Sequence, residues 1–167
     1  MTPTRQRNLT LIAVLGLAWW LFGNLYEAVV ISPNWVQDSP AQFARLHGFF
    51  AVTGPTLYFI PVTQLAVVLT WWLWWRNRDI ELAGDYRHAG LASLLLEALN
   101  TYIVIALISN MFGDDALAHP ERLSALAWQW NILNTVRIGL IITTMTYLFG
   151  AFRKLDRRTA AVTGPDR

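Results

Sequence analysis

Four long apolar runs constrain this chain more than any other feature of its sequence. They cover residues 9–31, 49–75, 90–112 and 125–152. Each is long enough for the roughly 20 mostly apolar residues that a membrane-spanning helix needs. Only 14% of the 167 residues are charged, and the mean hydropathy of +0.35 is too high for a soluble domain of this size. The sequence therefore predicts an integral, multi-pass membrane protein.

The connections between these runs are short and contain residues that end helices. They are residues 32–48 with Pro33 and Pro40, the charged residues 76–89, and residues 113–124 with Gly113, Asp114 and Pro120. Short connections join antiparallel neighbours. We therefore expect an all-α, up-down four-helix bundle that forms a single domain over residues 1–167.

Basic residues are distributed unevenly among these connections. In an up-down bundle, one side would hold both termini, the middle connection and ten basic residues: Arg5, Arg7, Arg76, Arg78, Arg87, Arg153, Lys154, Arg157, Arg158 and Arg167. Only Arg45 and Arg122 would lie opposite. The positive-inside rule then places both termini in the cytoplasm, in a membrane of the bacterial inner-membrane type. Lipid headgroups and topology account for the basic residues, so we expect the lipid bilayer and no nucleic acid as a partner.

Several kinds of segment and site are excluded or disfavoured. The first run exceeds the 7–15 residues of a signal-peptide core, so we expect it to remain as an anchor. The chain has no cysteine, which excludes disulfides, thiolate catalysis and thiolate-bound metals. Its nine tryptophans fall mostly near the ends of the runs, where this residue is typically an interfacial anchor.

Polar side chains recur inside the apolar runs. An ionisable group at the centre of a membrane costs roughly 2.5–3.5 kcal/mol, so it needs a partner or a function. Three runs carry such residues at a spacing of three, which places each set on one helical face: Asn24 and Glu27, Glu97 and Asn100, and Asn131, Asn134 and Arg137. His47 lies just before the second run. We expect these faces to meet at a partly hydrated cavity that opens toward the non-cytoplasmic side.

Within this cavity we expect Glu27, Asn100 and Arg137 to be catalytic, and Glu97, Asn131 and Asn134 to line the substrate pocket. Each asparagine can instead have a structural role and form a hydrogen bond between helices. A Glu97–Arg137 ion pair would leave Glu27 free to act as an acid or a hydrogen-bond donor. We interpret Gln64 as a packing hydrogen bond and give His88 and His119 no site role.

His47 is the candidate metal ligand. A non-heme iron triad needs two histidines and a carboxylate, and a di-iron bundle needs two Glu-x-x-His motifs. The sequence has neither pattern. A single interior histidine suits an axial ligand to heme, where the porphyrin supplies the other four donors. The alternative is an ordinary histidine at the membrane interface.

Three stretches of the sequence resemble the styrene oxide isomerases. They are GNLYEAVVISPNW at residues 23–35, FARLHG around His47, and ISNMFG at residues 108–113. Asn24 and Pro33 keep the family's spacing of nine, and the basic C-terminal tail is also similar. The family binds heme b through a histidine in an R-x-H-x-G setting. Here Arg45, Leu46 and His47 are followed directly by Gly48.

The resemblance implies a small membrane enzyme in which heme b is bound to His47, near the subunit interfaces of a trimer. Asn24, Thr53 and Tyr102 would lie at the cofactor. Thr53 stands six residues after His47, where the family has asparagine, and Tyr102 is out of register with the family's tyrosine in the third helix. Family members use ferric heme as a Lewis acid that converts an epoxide to an aldehyde without net redox change.

Three functions follow from these observations. The first is a heme-b isomerase that acts on a small hydrophobic or amphiphilic epoxide. The polar residues around the cavity would also suit a more polar substrate, engaged by Arg137. The second is a proton-coupled transporter subunit that uses Glu97, Arg137 and Glu27 as a relay. The third is a non-catalytic assembly subunit whose polar faces meet partner helices.

Overall fold

The computed structural model describes residues 1–50, 52–113 and 116–163, with side chains to residue 161, and within these ranges it is helical without strands. The five helices are α1 (Pro3–Gln37), α2 (Ser39–Phe49), α3 (Pro55–Arg76), α4 (Ile80–Met111) and α5 (Pro120–Thr163). All except α2 are long and apolar enough to cross a membrane. The predicted helical class and the four apolar spans are confirmed. Asp114 and Arg167, which were used in the sequence analysis, lie outside the described residues.

α1, α4 and α5 begin before their apolar runs, whereas α3 begins at Pro55, six residues after the start of its run. Capping residues fix several of these starts. The hydroxyl of Thr2 accepts a hydrogen bond from the Arg5 N–H and caps α1. The carboxylate of Asp79 accepts one from the Glu81 N–H, at 2.9 Å, and caps α4. Pro55 opens α3 in the first turn, where a missing N–H costs no helical hydrogen bond.

Residues 32–48, except Asp38, are helical and do not form the loop that their prolines predicted. α1 continues through Pro33 to Gln37, and α2 begins immediately afterwards with Pro40 in its first turn. Proline is tolerated there because the first N–H groups of a helix have no intrahelical partner. The sequence suggested that His47 lies at the start of a spanning helix, but the structure does not place it there. It lies in the last turn of α2, eight residues before Pro55.

Two helices contain a π-helical segment, Glu27–Ile31 in α1 and Ile103–Ile108 in α4. Pro33, which has no backbone N–H, follows the first segment. Side chains bond backbone carbonyls here: Asn34 Nδ2 donates to the Val30 carbonyl at 2.7 Å, and Ser109 Oγ donates to the Val104 carbonyl at 3.0 Å. These bonds matter because backbone groups within a bilayer have no water to bind.

Two separate clusters of buried side chains form the core. The first packs α1, α3, α4 and α5 together, around residues such as Leu17, Val67 and Leu148. The second contains the end of α1 with α2, α4 and α5, around Trp35 and Phe43. Within the described ranges, α3 contributes no residue to this second cluster, because α2 takes its place.

Charged side chains tie three parts of the chain together at one end of the bundle, which we call the charged end. Its contacts are Arg7–Asp156 at 3.2 Å, Lys154–Asp85 at 2.9 Å, and Arg158 with both Asp79 and Glu81. The start of α1, the start of α4 and the end of α5 therefore meet here. The opposite end, which carries α2, is called the far end below.

Close contact between α1 and α3 depends on a glycine. A Cβ added at Gly16 would lie 2.8 Å from the Cβ of Ala66, a contact that no flexible side chain can relieve. Small residues at such crossings let membrane helices approach each other closely. The equivalent Cβ at Gly139 of α5 would meet nothing within 4 Å.

We expect Gly16→Ala to lower the stability of the folded protein by roughly 1–3 kcal/mol, because α1 and α3 must separate to admit one methyl group. Gly139→Ala is the matched control and should be neutral or slightly stabilising, because alanine favours a helix by up to about 1 kcal/mol. Thermal unfolding of both variants in the same detergent measures the difference. Equal effects at the two positions would contradict the contact.

The ion pairs at the charged end should make stability depend on pH. The hydrogen bond from Arg158 lowers the pKa of Asp79 below its ordinary value of 3.8. A lowered pKa stabilises the fold above the pKa of the unfolded chain, and this contribution is lost as the pH falls through the folded value. We therefore expect Asp79→Asn to reduce the thermal unfolding temperature near pH 7 and to have no effect at strongly acidic pH. Asp38→Asn, at an exposed position, should show no such pH dependence.

Candidate functional site

A cavity of about 790 Å³ lies between α1, α3, α4 and α5, toward the far end. Its volume is within the range of small-molecule sites. Apolar and aromatic side chains form most of its wall, among them Trp20, Phe59, Val104, Ile108, Phe112 and Trp130. Besides Tyr26 and Tyr58, the polar side chains that line it are Asn24, Glu27, Thr53, Thr56, Thr63, Asn100 and Arg137. Five predicted site residues, Asn24, Glu27, Thr53, Asn100 and Arg137, therefore meet at this cavity.

Arg137 is the centre of the polar part of the wall. Its Nε and Nη2 donate to Asn134 Oδ1 at 3.1 and 2.8 Å, and its Nη1 donates to Asn100 Oδ1 at 3.2 Å. The carboxylate of Glu27 lies 4.0 Å from Nη2. Arg137 is only 4% exposed, so these contacts replace the water that the guanidinium lost. We call Arg137, Asn134, Asn100 and Glu27 the arginine cluster.

The backbone of α1 also supports the arginine cluster. Asn134 Nδ2 donates to the carbonyl of Asn24 at 3.3 Å, and the Asn24 amide donates in turn to the Trp20 carbonyl at 2.8 Å. α1 and α5 are thereby joined at the level of the cavity. Asn24 and Glu27 both line the cavity, which confirms that they share a face of α1. Asn134 and Arg137 are hydrogen-bonded to each other, which confirms the same for α5.

Among the described residues, Glu97 and Arg137 do not form the ion pair that the sequence analysis considered. Glu97 Oε1 accepts a hydrogen bond from Gln64 Nε2 at 3.0 Å, which confirms the packing role expected for Gln64. The carboxylate nearest to Arg137 is that of Glu27. Glu97 lies nearly one helical turn closer to the charged end than Asn100 and faces α3, so it does not line the cavity.

Three other predicted residues, Asn131, Tyr102 and Asn134, also lie away from the cavity wall. Asn134, which was predicted to line the substrate pocket, is buried behind the wall and bonded to Arg137. Asn131 accepts a hydrogen bond from the hydroxyl of Ser32 and joins α1 to α5. Tyr102 is exposed, and its hydroxyl accepts a hydrogen bond from Gln129 Nε2 at 3.1 Å. None of the three side chains lines the cavity.

His47 lies next to the cavity wall and not in it. Its ring is half-buried and stacks on the ring of Phe112, with 5.5 Å between centroids and an interplanar angle of 5°. Phe112 itself lines the cavity. His47 Nε2 is buried and has no hydrogen-bond partner among the described residues. A metal or a hydrogen-bonding ligand at this nitrogen would therefore have no existing hydrogen bond to replace.

The donors available for a bare metal ion are few. In the described ranges, no three histidine or carboxylate side chains are grouped so that they could hold one. A metal bound by His47 would therefore need most of its donors from another molecule, as the iron of heme does.

Trp130 is a site residue that the sequence analysis missed, because it counted this tryptophan among the interfacial anchors. It is 1% exposed, lines the cavity and contacts Trp35 edge-on at 4.8 Å. The Arg137 guanidinium lies 5.7 Å from the centroid of its ring, within the range of cation–π contacts. Its spacing of four and seven from Asn134 and Arg137 places it on the same face of α5, which is the sequence pattern that could have identified it.

Comparison of the chain with protein-family models, with curated proteins and with solved structures found no match.

Removing Arg137 should lower the stability of the folded protein more than removing the charge of Glu27. Arg137→Met removes the donors to Asn134 and Asn100 and leaves Glu27 without its cation. We expect a loss of roughly 3–5 kcal/mol, as when one partner of a buried ion pair is removed. Glu27→Gln should cost less, because Arg137 keeps its two amide partners. Thermal unfolding in detergent measures both variants.

The double variant Glu27→Gln with Arg137→Met completes a mutant cycle, and it should be more stable than the sum of the single losses predicts. Arg45→Met, at an exposed position, is the control for losing an arginine as such. A loss in Glu27→Gln as large as that in Arg137→Met would contradict the arrangement described above.

Proposed function

We propose that this protein is a heme-b enzyme of the membrane interior that isomerises an epoxide to an aldehyde without net redox change. The observation that carries the proposal is the buried, unpaired Nε2 of His47, beside a wall of the 790 Å³ cavity. Buried polar atoms usually have a hydrogen-bond partner. An imidazole nitrogen without one is thus a candidate ligand for a group that the chain itself does not supply.

His47 would hold the iron of heme b through its unpaired nitrogen. The stack on Phe112 fixes the plane of the imidazole ring, and Nε2 makes no hydrogen bond that binding to iron would have to replace. Thr53, which the resemblance places at the cofactor, lines the same cavity. When bound, heme b supplies a Lewis-acidic iron that favours opening of an epoxide C–O bond without electron transfer.

The side chains of the cavity would bind the substrate and exclude water. Trp20, Phe59 and Phe112 supply an apolar wall for a ring or hydrocarbon part. Exclusion of water protects a reactive species from hydrolysis. Arg137 and Asn100 face the cavity with N–H groups that can bind a substrate oxygen. Since Glu27 offsets the charge of Arg137, the site favours an uncharged substrate over an anion.

The proposal includes an up-down topology with both termini in the cytoplasm of a bacterial-type inner membrane. The contacts of Arg7 with Asp156, and of Arg158 with Asp79, support the meeting of the termini with the α3–α4 connection. The excess of basic residues on this side supports its cytoplasmic location. The resemblance to styrene oxide isomerases supports a homotrimer.

The two other functions have less support. A proton relay through Glu97 and Arg137 requires these side chains to be adjacent, but Glu97 pairs with Gln64. An assembly subunit needs no cavity of this size between its own helices. We therefore propose neither.

Purification in detergent after expression with ample heme tests the cofactor. The wild-type protein should show a Soret band, and His47→Ala should lose most of the heme bound per chain because the nitrogen that would hold the iron is gone. His119→Ala is the matched control, because His119 lies outside the cavity lining and 3.5 Å from the carboxylate of Glu121. A colourless wild-type protein, or equal heme content in His47→Ala, would refute the proposal. Conversion of styrene oxide to phenylacetaldehyde, followed by gas chromatography, then tests the reaction.

A further inference from the structure

α3 and α4 pack against each other only along their halves near the charged end. Trp74 lies directly over Gly90, where an added Cβ would be 2.2 Å from its ring. Trp71 Nε1 donates to Ser93 Oγ at 2.9 Å, and Gln64 donates to Glu97 at 3.0 Å. Closer to the far end, no further hydrogen bond joins the two helices in the described part of the chain.

Beyond Gln64, both helices turn their side chains to the cavity. Leu57 and Ile60 of α3 line it, as do Val104 and Ile108 of α4. Leu57 is 69% exposed and Ile60 is 41% exposed, although both border an interior space. The second core cluster contains no described α3 residue. The far half of α3 therefore stands away from α4, and a gap between the two helices leads into the cavity.

The opposite side of α3 is closed at this level. The ring of Phe59 lies against Gly23 of α1, where an added Cβ would be 2.5 Å away. Tyr58 also contacts Trp19 of α1, with 5.4 Å between ring centroids. Phe59 is five residues nearer the far end than Gln64, which is about 7.5 Å along the helix. At this level, α1 and α3 are therefore in contact, whereas α3 and α4 are apart.

The side chains that flank the gap are suited to hydrocarbon and not to water. They are apolar, with Leu57 and Ile60 on one side and Val104 and Ile108 on the other, and both helices belong to the candidate membrane spans. An opening to water would expose these apolar groups at a cost that lipid does not impose. The charged side chains that line the cavity, Glu27 and Arg137, belong to the arginine cluster.

We propose that the cavity is filled sideways from the hydrocarbon layer, through the gap between the far halves of α3 and α4. Its ligand is then an uncharged, membrane-dissolved molecule with one hydrogen-bonding group, which the arginine cluster binds while the rest contacts the apolar wall. The inference rests on the proposed function only in taking this cavity as the substrate site.

Site-specific fluorescence tests the route, and the absence of cysteine from the chain makes single labelling specific. A bimane label on Val104→Cys reports on the gap. The same label on Ile105→Cys, the neighbouring residue, which is 67% exposed and does not line the cavity, is the reference. Both proteins are reconstituted in vesicles that contain phospholipids with a doxyl quencher on the acyl chain, and aqueous iodide is tested separately.

We expect the doxyl lipid to quench the label at Val104 and at Ile105, and iodide to quench neither. Adding Leu57→Phe and Ile60→Phe should lower lipid quenching at Val104 by about twofold or more, because larger side chains fill the opening. The reference label at Ile105 should not change, which shows that the doubly substituted protein is still folded and inserted. Quenching at Val104 by iodide would mean access from water. Quenching by neither agent would mean that the gap is closed. Either result overturns the proposal.

The ligand class is tested with 2-phenylethanol and phenylacetate, which share a ring and differ in charge. The neutral alcohol should shift the emission of the label at Val104, and this shift should not occur at Ile105. An equal or larger shift with phenylacetate would overturn the stated class. Neither measurement uses heme or turnover, so a failure of the isomerase proposal and a failure of this one give different results.

Discussion

A guanidinium inside a bilayer has to find its hydrogen-bond acceptors within the protein, because lipid offers none. Arg137 finds them on α4 and α5, and the carboxylate of Glu27 on α1 offsets its charge. These contacts set the relative depth of three helices, since a shift of one turn would move at least one partner out of reach. The cavity lies beside this cluster, so its polar wall is fixed by the same contacts that make the buried charge tolerable.

α3 is the helix that the arginine cluster does not hold. It packs through Ala66 against Gly16, through Phe59 against Gly23, and through Gln64 to Glu97. At the far end, α2 takes the position in the core that a fourth spanning helix would otherwise fill. The space left between the far half of α3 and the other helices is the cavity. The same displacement brings His47, on α2, next to the cavity wall.

The sequence predicted the features that depend on composition and on spacing along one helix. Apolar run length identified the four spans, and spacings of three identified the faces that carry Asn24 and Glu27 and that carry Arg137. Pairing between helices was not predictable in the same way, because depth alone does not distinguish Glu27 from Glu97 as the partner of Arg137. The rotation of α4 about its axis decides that choice. α2 was missed because its proline was interpreted as a break, although proline is tolerated in a first turn.

The π-helical segments of α1 and α4 each contain one residue more than a regular helix would use over the same turn. One residue corresponds to about 100° of rotation about the helix axis. In α1 this extra residue turns everything after Ile31, so that Trp35 reaches the second core cluster while Glu27 still faces Arg137. Deleting one residue from the segment would restore a regular helix and aim either the tryptophan or the carboxylate at lipid. The π-helical segment therefore allows one continuous helix to contact both Arg137 and the second core cluster, which lie in different directions from its axis.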